Sequence, residues 1–224
     1  MIPKKSLLML AALRFLTFND ADAQLSARID ASSNYMFRGH EFTDCAVVQP
    51  TIRYSKGMDI TLFSNYNTKN KRFDELDINI NNTDKVADIE LSEGFTHVYE
   101  PSAKGLEYIN EFCISADYPA EFTPRLNFIK PFGTIGGLVS EASLSTAQKI
   151  LGQDMNISVL LGYESEYLSS LQNPGSKGLS HLEFRTGTDI TVSGFTISPS
   201  ISYSRGFQMP SLLYCGIGIS KTLE

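Results

Sequence analysis

The sequence predicts an all-β protein, a single closed antiparallel up-and-down transmembrane β-barrel of about 12 strands. Three observations support this fold class. Apolar and polar residues alternate from Leu25 onward, with the period of two that a β-strand imposes. Long connections alternate with tight ones along the chain. The apolar parity also contains many small residues, such as Ala27, Ala31 and Ala116, which suit a lipid-facing surface better than a close-packed core.

The N-terminal segment has the order of a secretory signal peptide. A basic start precedes a mostly apolar stretch at 6–18 and a small-x-small site at 21–23. The apolar stretch is shorter than the roughly 20 residues that a membrane-spanning helix needs. We therefore predict a cleaved signal peptide at 1–23 and one barrel domain at 24–224, with an amphipathic helix of the folded domain as the alternative for the first segment.

The first predicted strand alternates from Leu25 to Phe37 and is longer than an average globular strand. Such a length matches a tilted membrane crossing of about 9–11 residues with an overhang. Further segments continue the alternation and bring the total to an even number, as a closed bacterial barrel requires. These segments are 46–55, 58–67, 74–81, 87–99, 107–118, 123–132, 137–147, 155–166, 179–190, 195–205 and 213–223.

The connections differ in length between the two ends of the predicted barrel. Those after the first, third, fifth, ninth and eleventh strands are long, whereas those after the second and tenth are tight. Long loops at one end and short turns at the other are typical of outer-membrane barrels. We predict an exception to this alternation of lengths at the seventh and eighth strands. The connection after the seventh strand, GTIG at 133–136, is shorter than the connection after the eighth, QKILGQD at 148–154.

Aromatic residues near the strand ends predict the interfacial girdle of a membrane barrel. The predicted girdle residues are Tyr35, Phe37, Tyr54, Tyr66, Tyr99, Tyr118, Tyr163 and Tyr203.

Pro199 lies within the alternating stretch at 195–204 and has no backbone N–H for a ladder hydrogen bond. We therefore expect a local bulge or a strand edge at this residue.

Composition argues against several other classes of protein. The formal net charge of -6 is unlike that of nucleic-acid binders, which need basic patches to neutralise phosphates. The chain has three widely spaced cysteines, Cys45, Cys113 and Cys215, and no C-x-x-C motif. We expect all three to serve as small apolar residues, with one disulfide as the alternative. The sequence contains no recognisable metal-ligand set and no cofactor motif, and we predict neither a metal nor a cofactor.

Charged residues on the polar parity would project into the barrel, and we predict that they line a pore. The predicted pore-lining residues are Arg28, Asp30, Arg38, Arg53, Glu75, Asp77, Glu111, Asp117, His181, Glu183 and Arg185. The acidic excess predicts a mild cation preference for an open pore. Because twelve strands lie between the filled small barrels and the open large ones, the sequence leaves both an open and a plugged lumen as alternatives.

Ser180 and His181 raise the question of a catalytic pair. Adjacent residues on a regular strand point to opposite faces, so these two side chains are expected to diverge. No phosphate-binding loop and no carboxylate pair of recognisable spacing accompanies them. We therefore predict no catalytic residue and no enzymatic activity.

Short motifs in three parts of the chain are shared with a known family. An aromatic-x-Phe-Arg-Gly element is followed by a Thr-Asp loop and by a strand that ends in Ser-Asn, and the stretches at 74–80 and 177–206 add further matches. The residues of the first motif are Tyr35, Phe37, Arg38, Gly39, Thr43, Asp44, Gly57, Ser64 and Asn65. In these motifs the chain resembles the TorF-like porins, a bacterial family of unknown function. The resemblance implies an outer-membrane β-barrel with a porin role assigned by analogy.

These features together predict an outer-membrane barrel through which small solutes or ions diffuse passively along a narrow polar lumen. Its expected partners are outer-membrane lipid, small hydrophilic solutes or ions, and the machinery that assembles outer-membrane proteins. The oligomeric state is not predicted. The alternatives are a non-conducting structural or surface-interaction barrel and a soluble exported β-sandwich that binds a ligand.

Overall fold

The computed structural model describes residues 23–101, 108–133, 136–150, 152–165, 177–207 and 210–223. Residues 1–22 of the predicted signal peptide lie outside this part of the chain. The regular elements of the described residues are strands, and no helix among them is long and apolar enough to cross a membrane. The strands are β1 (Gln24–Ser32), β2 (Tyr35–Phe37), β3 (His40–Thr43), β4 (Val47–Ser55), β5 (Asp59–Asn67), β6 (Arg72–Val86), β7 (Ile89–Tyr99), β8 (Tyr108–Asp117), β9 (Thr123–Phe132), β10 (Leu138–Ile150), β11 (Gln153–Ser165), β12 (Lys177–Thr188), β13 (Ile190–Val192), β14 (Phe195–Gly206) and β15 (Leu212–Leu223).

A closed antiparallel barrel of twelve strands forms the body of the protein. The strands β4 to β12 pair in chain order, and β1 pairs with both β15 and β4. The ring closes through the pairing of β12 with β14, and the short strand β13 also pairs with β14. The predicted fold class is therefore confirmed. The alternative of a two-layer soluble sandwich is wrong, because the sheet closes on itself.

The outward face of the barrel is apolar, as the parity predicted. Large aliphatic residues on this face are exposed, among them Ile29, Ile52 and Ile217. Because the opposite parity faces a polar interior, the outward side has no protein layer to pack against and has the character of a lipid-facing surface. This arrangement explains why small residues are common on the apolar parity, since lipid does not need a close-packed fit.

Aromatic residues on the outward face gather at both ends of the barrel. Tyr99 stacks on Tyr108 at the end with the longer connections, with ring centroids 5.0 Å apart. Tyr54 and Tyr118 are exposed at the opposite end. The prediction is wrong for Tyr35 and Phe37, which lie on a hairpin inside the barrel.

That hairpin consists of β2 and β3 and replaces the second half of the first predicted strand. The strand β1 ends at Ser32, and β2 and β3 form a separate two-stranded sheet. Alternation continues through β2 because each strand of a hairpin keeps the period of two. The sequence pattern alone therefore does not reveal that the chain leaves the barrel wall at Ser33.

Connections differ in length between the two ends of the barrel, but the predicted exception is wrong. The strand β10 extends to Ile150 and pairs there with Gln153, the first residue of β11, so that only two residues of the sequence separate the two strands. The ladder continues through the paired residues Lys149 and Asp154, beyond the apolar part of the strands. The prediction placed the strand ends too early because the alternating hydrophobic pattern stops before the backbone pairing does. The long connections predicted around 102–107 and 166–176 fall outside the described residues.

The irregularity expected at Pro199 lies in the neighbouring strand. On one side, Pro199 pairs with Ile217 of β15. On the other side, pairing with β12 ends at Ser200, and pairing with β13 begins at Ile197. The missing N–H of the proline therefore coincides with the break between β12 and β13, which avoids a lost hydrogen bond inside a continuous ladder.

Each of the three cysteines has a free thiol. Cys113 faces the lumen beside the apolar residues described below, and the Cys45 thiol lies 3.3 Å from the Asn67 side-chain oxygen. The alternative of one disulfide is therefore wrong.

Candidate functional site

The tip of the β2–β3 hairpin is a tight turn formed by Arg38 and Gly39. Phe37 pairs directly with His40, so only these two residues make the turn. Both have positive φ, 51° at Arg38 and 79° at Gly39, as the central residues of a type I′ turn require. Glycine takes this conformation freely, whereas Arg38 needs compensation from its contacts.

Arg38 makes that compensating contact with Glu111 on the far wall. Its two terminal nitrogens donate to the two carboxylate oxygens at 2.8 and 2.7 Å, which is a bidentate pair. The side chains are nearly inaccessible, with 9% of Arg38 and 2% of Glu111 exposed. The guanidinium also lies 4.4 Å from the ring centroid of Phe37. The hairpin therefore reaches from the β1–β4 side of the lumen to β8.

An apolar cluster seals the hairpin against β7 to β10. It comprises Val98, Ile109, Ile129 and Val139, each less than 5% exposed, with Phe37 and Phe42 of the hairpin packed on it. The rings of Phe37 and Phe42 meet edge to face, with centroids 5.6 Å apart. Burial of this surface provides a hydrophobic contribution to holding the hairpin in place.

Polar and aromatic contacts hold the base of the hairpin near β5 and β6. The Tyr35 ring lies 6.5 Å from the Phe63 ring, and the buried carboxyl group of Glu75 lies beside its phenol. Burial, followed by the nearby Glu75, raises the pKa of the Tyr35 phenol well above its ordinary value. The phenol therefore stays protonated in this buried contact.

His181 and Glu164 contact the other edge of the hairpin. The His40 Nε2 atom lies 3.4 Å from the Glu164 carboxylate. A Cβ atom at Gly39 would lie 2.3 Å from the Cβ of His181, so the glycine allows the turn to rest directly on this histidine. The hairpin thus crosses the lumen and touches β8, β11 and β12.

Ser180 and His181 do not diverge, contrary to the expectation from a regular strand. The Ser180 Oγ lies 2.9 Å from the His181 Nδ1, because a β-bulge interrupts the pairing of β11 with β12 between Gly162 and Tyr163. His181 is 2% exposed and Ser180 9% exposed, beneath the hairpin tip. The pair is thus enclosed, and His181 packs directly beneath Gly39 of the hairpin tip.

Gly162 provides a test of this packing. We expect Gly162→Ala to destabilise the barrel by about 1–3 kcal/mol, because the new Cβ would lie 2.4 Å from His181 Cε1. The measurement is the temperature at which the compact form converts to the unfolded form on a denaturing gel. Gly136→Ala is the matched control, since a Cβ there meets nothing within 4 Å. Equal conversion temperatures for the two variants would contradict the packing.

The hairpin leaves the opposite side of the lumen open. A cavity of about 290 Å³ lies between Tyr35 and Met36 of the hairpin and the wall formed by β1, β12, β14 and β15. It adjoins cavities of about 680 Å³ and 1100 Å³ towards the end with the short turns, and Arg28 lines all three. Gly216 and Ser200 of the wall add little side-chain volume at this level, whereas the longer side chains of Arg28, Arg185 and Tyr214 border the same cavity. We call these three adjoining cavities the passage.

The predicted pore-lining residues fall into three groups. The cavities are bordered by Arg28, Asp30, Arg53 and Arg185. Around the hairpin lie Glu75, Asp77, Glu111 and His181. The third group forms contacts within the wall and consists of Asp117 and Glu183. Within the wall, Asp117 lies 3.6 Å from Arg125, and Glu183 accepts a hydrogen bond from the Tyr214 hydroxyl at 2.9 Å. Arg38 is placed differently from the prediction, because it sits on the hairpin rather than at a strand end.

The lumen also contains functional residues that the sequence pattern did not single out. Tyr35, Met36 and Phe42 of the hairpin shape the lumen, and Glu164 holds His40. The dipeptide of Arg38 and Gly39 could have indicated the hairpin. A two-residue segment that contains glycine, between two short alternating runs, is compatible with a hairpin turn. The position of the hairpin inside the barrel has no such local signal.

A closed barrel with an apolar outer face and a polar lumen defines the class of transmembrane β-barrels. The solved structures that share this fold include the following two. The KdgM porin, solved in complex with disordered oligogalacturonate, aligns with 8% identity over 90% of this chain and 99% of its own, with a TM-score of 0.59. A structure from work on in-meso crystallization of membrane proteins aligns with 9% identity over 89% of this chain and 84% of its own, with a TM-score of 0.55.

At such low identity these likenesses concern the fold. No protein-family model matches the sequence, and no curated protein matches it. The resemblance to the TorF-like porins therefore stays a prediction.

Proposed function

We propose that this protein is a bacterial outer-membrane pore through which small hydrophilic solutes or ions diffuse passively. The observation that carries the proposal is the passage, which remains beside the hairpin and is lined by Arg28, Arg185, Ser200 and other polar residues. Hydroxyl, amide and guanidinium groups can replace part of the hydration shell of a polar solute. A proposed signal peptide at 1–23 and the outer-membrane assembly machinery account for delivery, and outer-membrane lipid covers the apolar face.

A non-conducting structural or surface-interaction barrel is the second candidate. One observation favours it: the hairpin is sealed against β7 to β10 by the apolar cluster and by the Arg38–Glu111 pair. In this candidate the hairpin serves as a plug that stabilises the barrel, and the loops at the long-connection end provide the function. Neither candidate assigns catalysis to the protein.

Liposome swelling distinguishes the two candidates. We expect vesicles that contain the folded protein to swell in isotonic solutions of a pentose and, more slowly, in those of a disaccharide, because solute size limits passage through a narrow lumen. Folding is checked by heat-modifiable migration on a denaturing gel, and protein-free vesicles are the control. Failure of the pentose to enter, with the protein folded in the vesicles, would favour the plugged barrel.

A further inference from the structure

The two sides of the lumen carry charges of different kinds. Around the hairpin lie carboxylates, including Glu75, Asp77 and Glu111, and Arg38 contributes a positive charge among them. The cavity of about 290 Å³ beside the hairpin is bordered instead by two arginines, Arg28 and Arg185, and by one carboxylate, Asp30. The adjoining cavity of about 680 Å³ also has Glu121 and Asp189 in its lining. A solute beside the hairpin is therefore closer to guanidinium groups than the overall acidic composition suggests.

Arg185 is the more exposed of these charges. Its side chain is exposed in the lumen and forms no ion pair within 4.0 Å with a carboxylate of the described residues. By contrast, Arg28 donates to both oxygens of Asp30, at 2.7 and 2.6 Å. The field of Arg28 is thus largely compensated by its partner, whereas Arg185 interacts with Glu183 only beyond ion-pair distance and its guanidinium can contact a solute.

Three carboxylates on the walls around Arg185 have other hydrogen-bond donors. Glu183, two residues earlier on β12, accepts from the Tyr214 hydroxyl at 2.9 Å. Asp189 accepts from the Ser198 hydroxyl at 2.5 Å, and Asp30 is held by Arg28. The cross-strand partners of Arg185 are Ser158 and Ser202, which carry no charge.

From this arrangement we propose that Arg185, assisted by Arg28, makes the passage selective for small anions. The inference rests on the proposed pore function and names the class of solute that the pore prefers. Two arginines against one carboxylate leave a net positive charge at the cavity beside the hairpin. In a narrow space with low-dielectric walls such a charge raises the local concentration of anions and lowers that of cations. It reverses the cation preference expected from composition, because Asp77 and Glu111 lie around the hairpin and Asp30 is paired with Arg28.

The test is the reversal potential of single channels in planar bilayers separated by a KCl gradient. We expect the unmodified protein to pass chloride better than potassium. Arg185→Gln is expected to lower the chloride-to-potassium permeability ratio by about twofold or more, and Arg185→Glu to bring it below unity.

Arg125→Gln is the matched control, since it removes one lumen arginine that lies in a cavity of about 430 Å³ not bordered by Arg28 or Arg185 and is paired with Asp117. Its permeability ratio should stay close to that of the unmodified protein. Channels that prefer potassium, or equal shifts in the Arg185→Gln and Arg125→Gln variants, would overturn the inference and leave the pore function intact. Folded protein that forms no channels would overturn both.

Discussion

Removing the lumen hairpin is expected to raise single-channel conductance by a factor on the order of two or more, because the hairpin occupies much of the cross-section at its level. In the variant, residues 34–44 are replaced by a short Gly-Ser linker. The barrel should still close, since Ser32 at the end of β1 pairs directly with Val47 at the start of β4. Conductance in planar bilayers is the measurement, with heat-modifiable migration as the check on folding.

Point variants test whether the position of the hairpin limits conductance while the hairpin itself is kept. Arg38→Ala removes the bidentate partner of the buried Glu111, and breaking a buried ion pair typically costs about 3–5 kcal/mol. The hairpin should then leave its place for part of the time, so conductance should rise and become noisier. Glu41→Ala is the control, because Glu41 contacts Asn34 within the hairpin.

Several outcomes of this experiment are informative. A closed unmodified protein and an open deletion variant would identify the hairpin as a plug. An unchanged conductance in a correctly folded deletion variant would contradict the inserted position of β2 and β3.

Replacing Ile52 by arginine is expected to destabilise the membrane-embedded barrel by about 2–4 kcal/mol, because a charge on the lipid face near the bilayer centre is not hydrated. Ile52 is 50% exposed on the outward face of β4. The adjacent Thr51 faces the cavity of about 1100 Å³, so Thr51→Arg places the same side chain in a polar space.

The comparison of these neighbouring positions tests the orientation of the whole sheet. Urea unfolding from lipid vesicles is the measurement, and Thr51→Arg should lie close to the unmodified protein. Greater destabilisation by Thr51→Arg than by Ile52→Arg would mean that the two faces are exchanged.

Much of the barrel wall could be predicted because its signal is local. A strand with lipid on one side and a polar lumen on the other must alternate, and the alternation places each residue on a face without knowledge of its neighbours. The seventh predicted strand illustrates this, since it was predicted at 123–132 and the observed strand β9 is Thr123–Phe132. Errors occurred where polar residues continued the ladder beyond the apolar band, as at Ile150 and Gln153.

The interior could be predicted only in part. Parity indicated that Arg28, Glu111 and Arg185 point inward, but their roles depend on what else enters the lumen. The hydrogen bond between Ser180 and His181 requires a bulge, which depends on the pairing of β12 with β11 rather than on the residues themselves. The Arg38–Glu111 pair joins residues 73 positions apart, and no local pattern relates them.

The sequence by itself determined the strands, the direction in which each face points and the closure into a barrel, because these follow from a two-residue period and from connection lengths. Only the tertiary structure decided how the lumen is divided. The hairpin at Tyr35–Thr43 keeps the same alternation as a wall strand, yet a turn at Arg38 and Gly39 and contacts with distant strands bring it inside. That long-range packing places Glu111 against the hairpin and leaves Arg185 facing the cavity beside it.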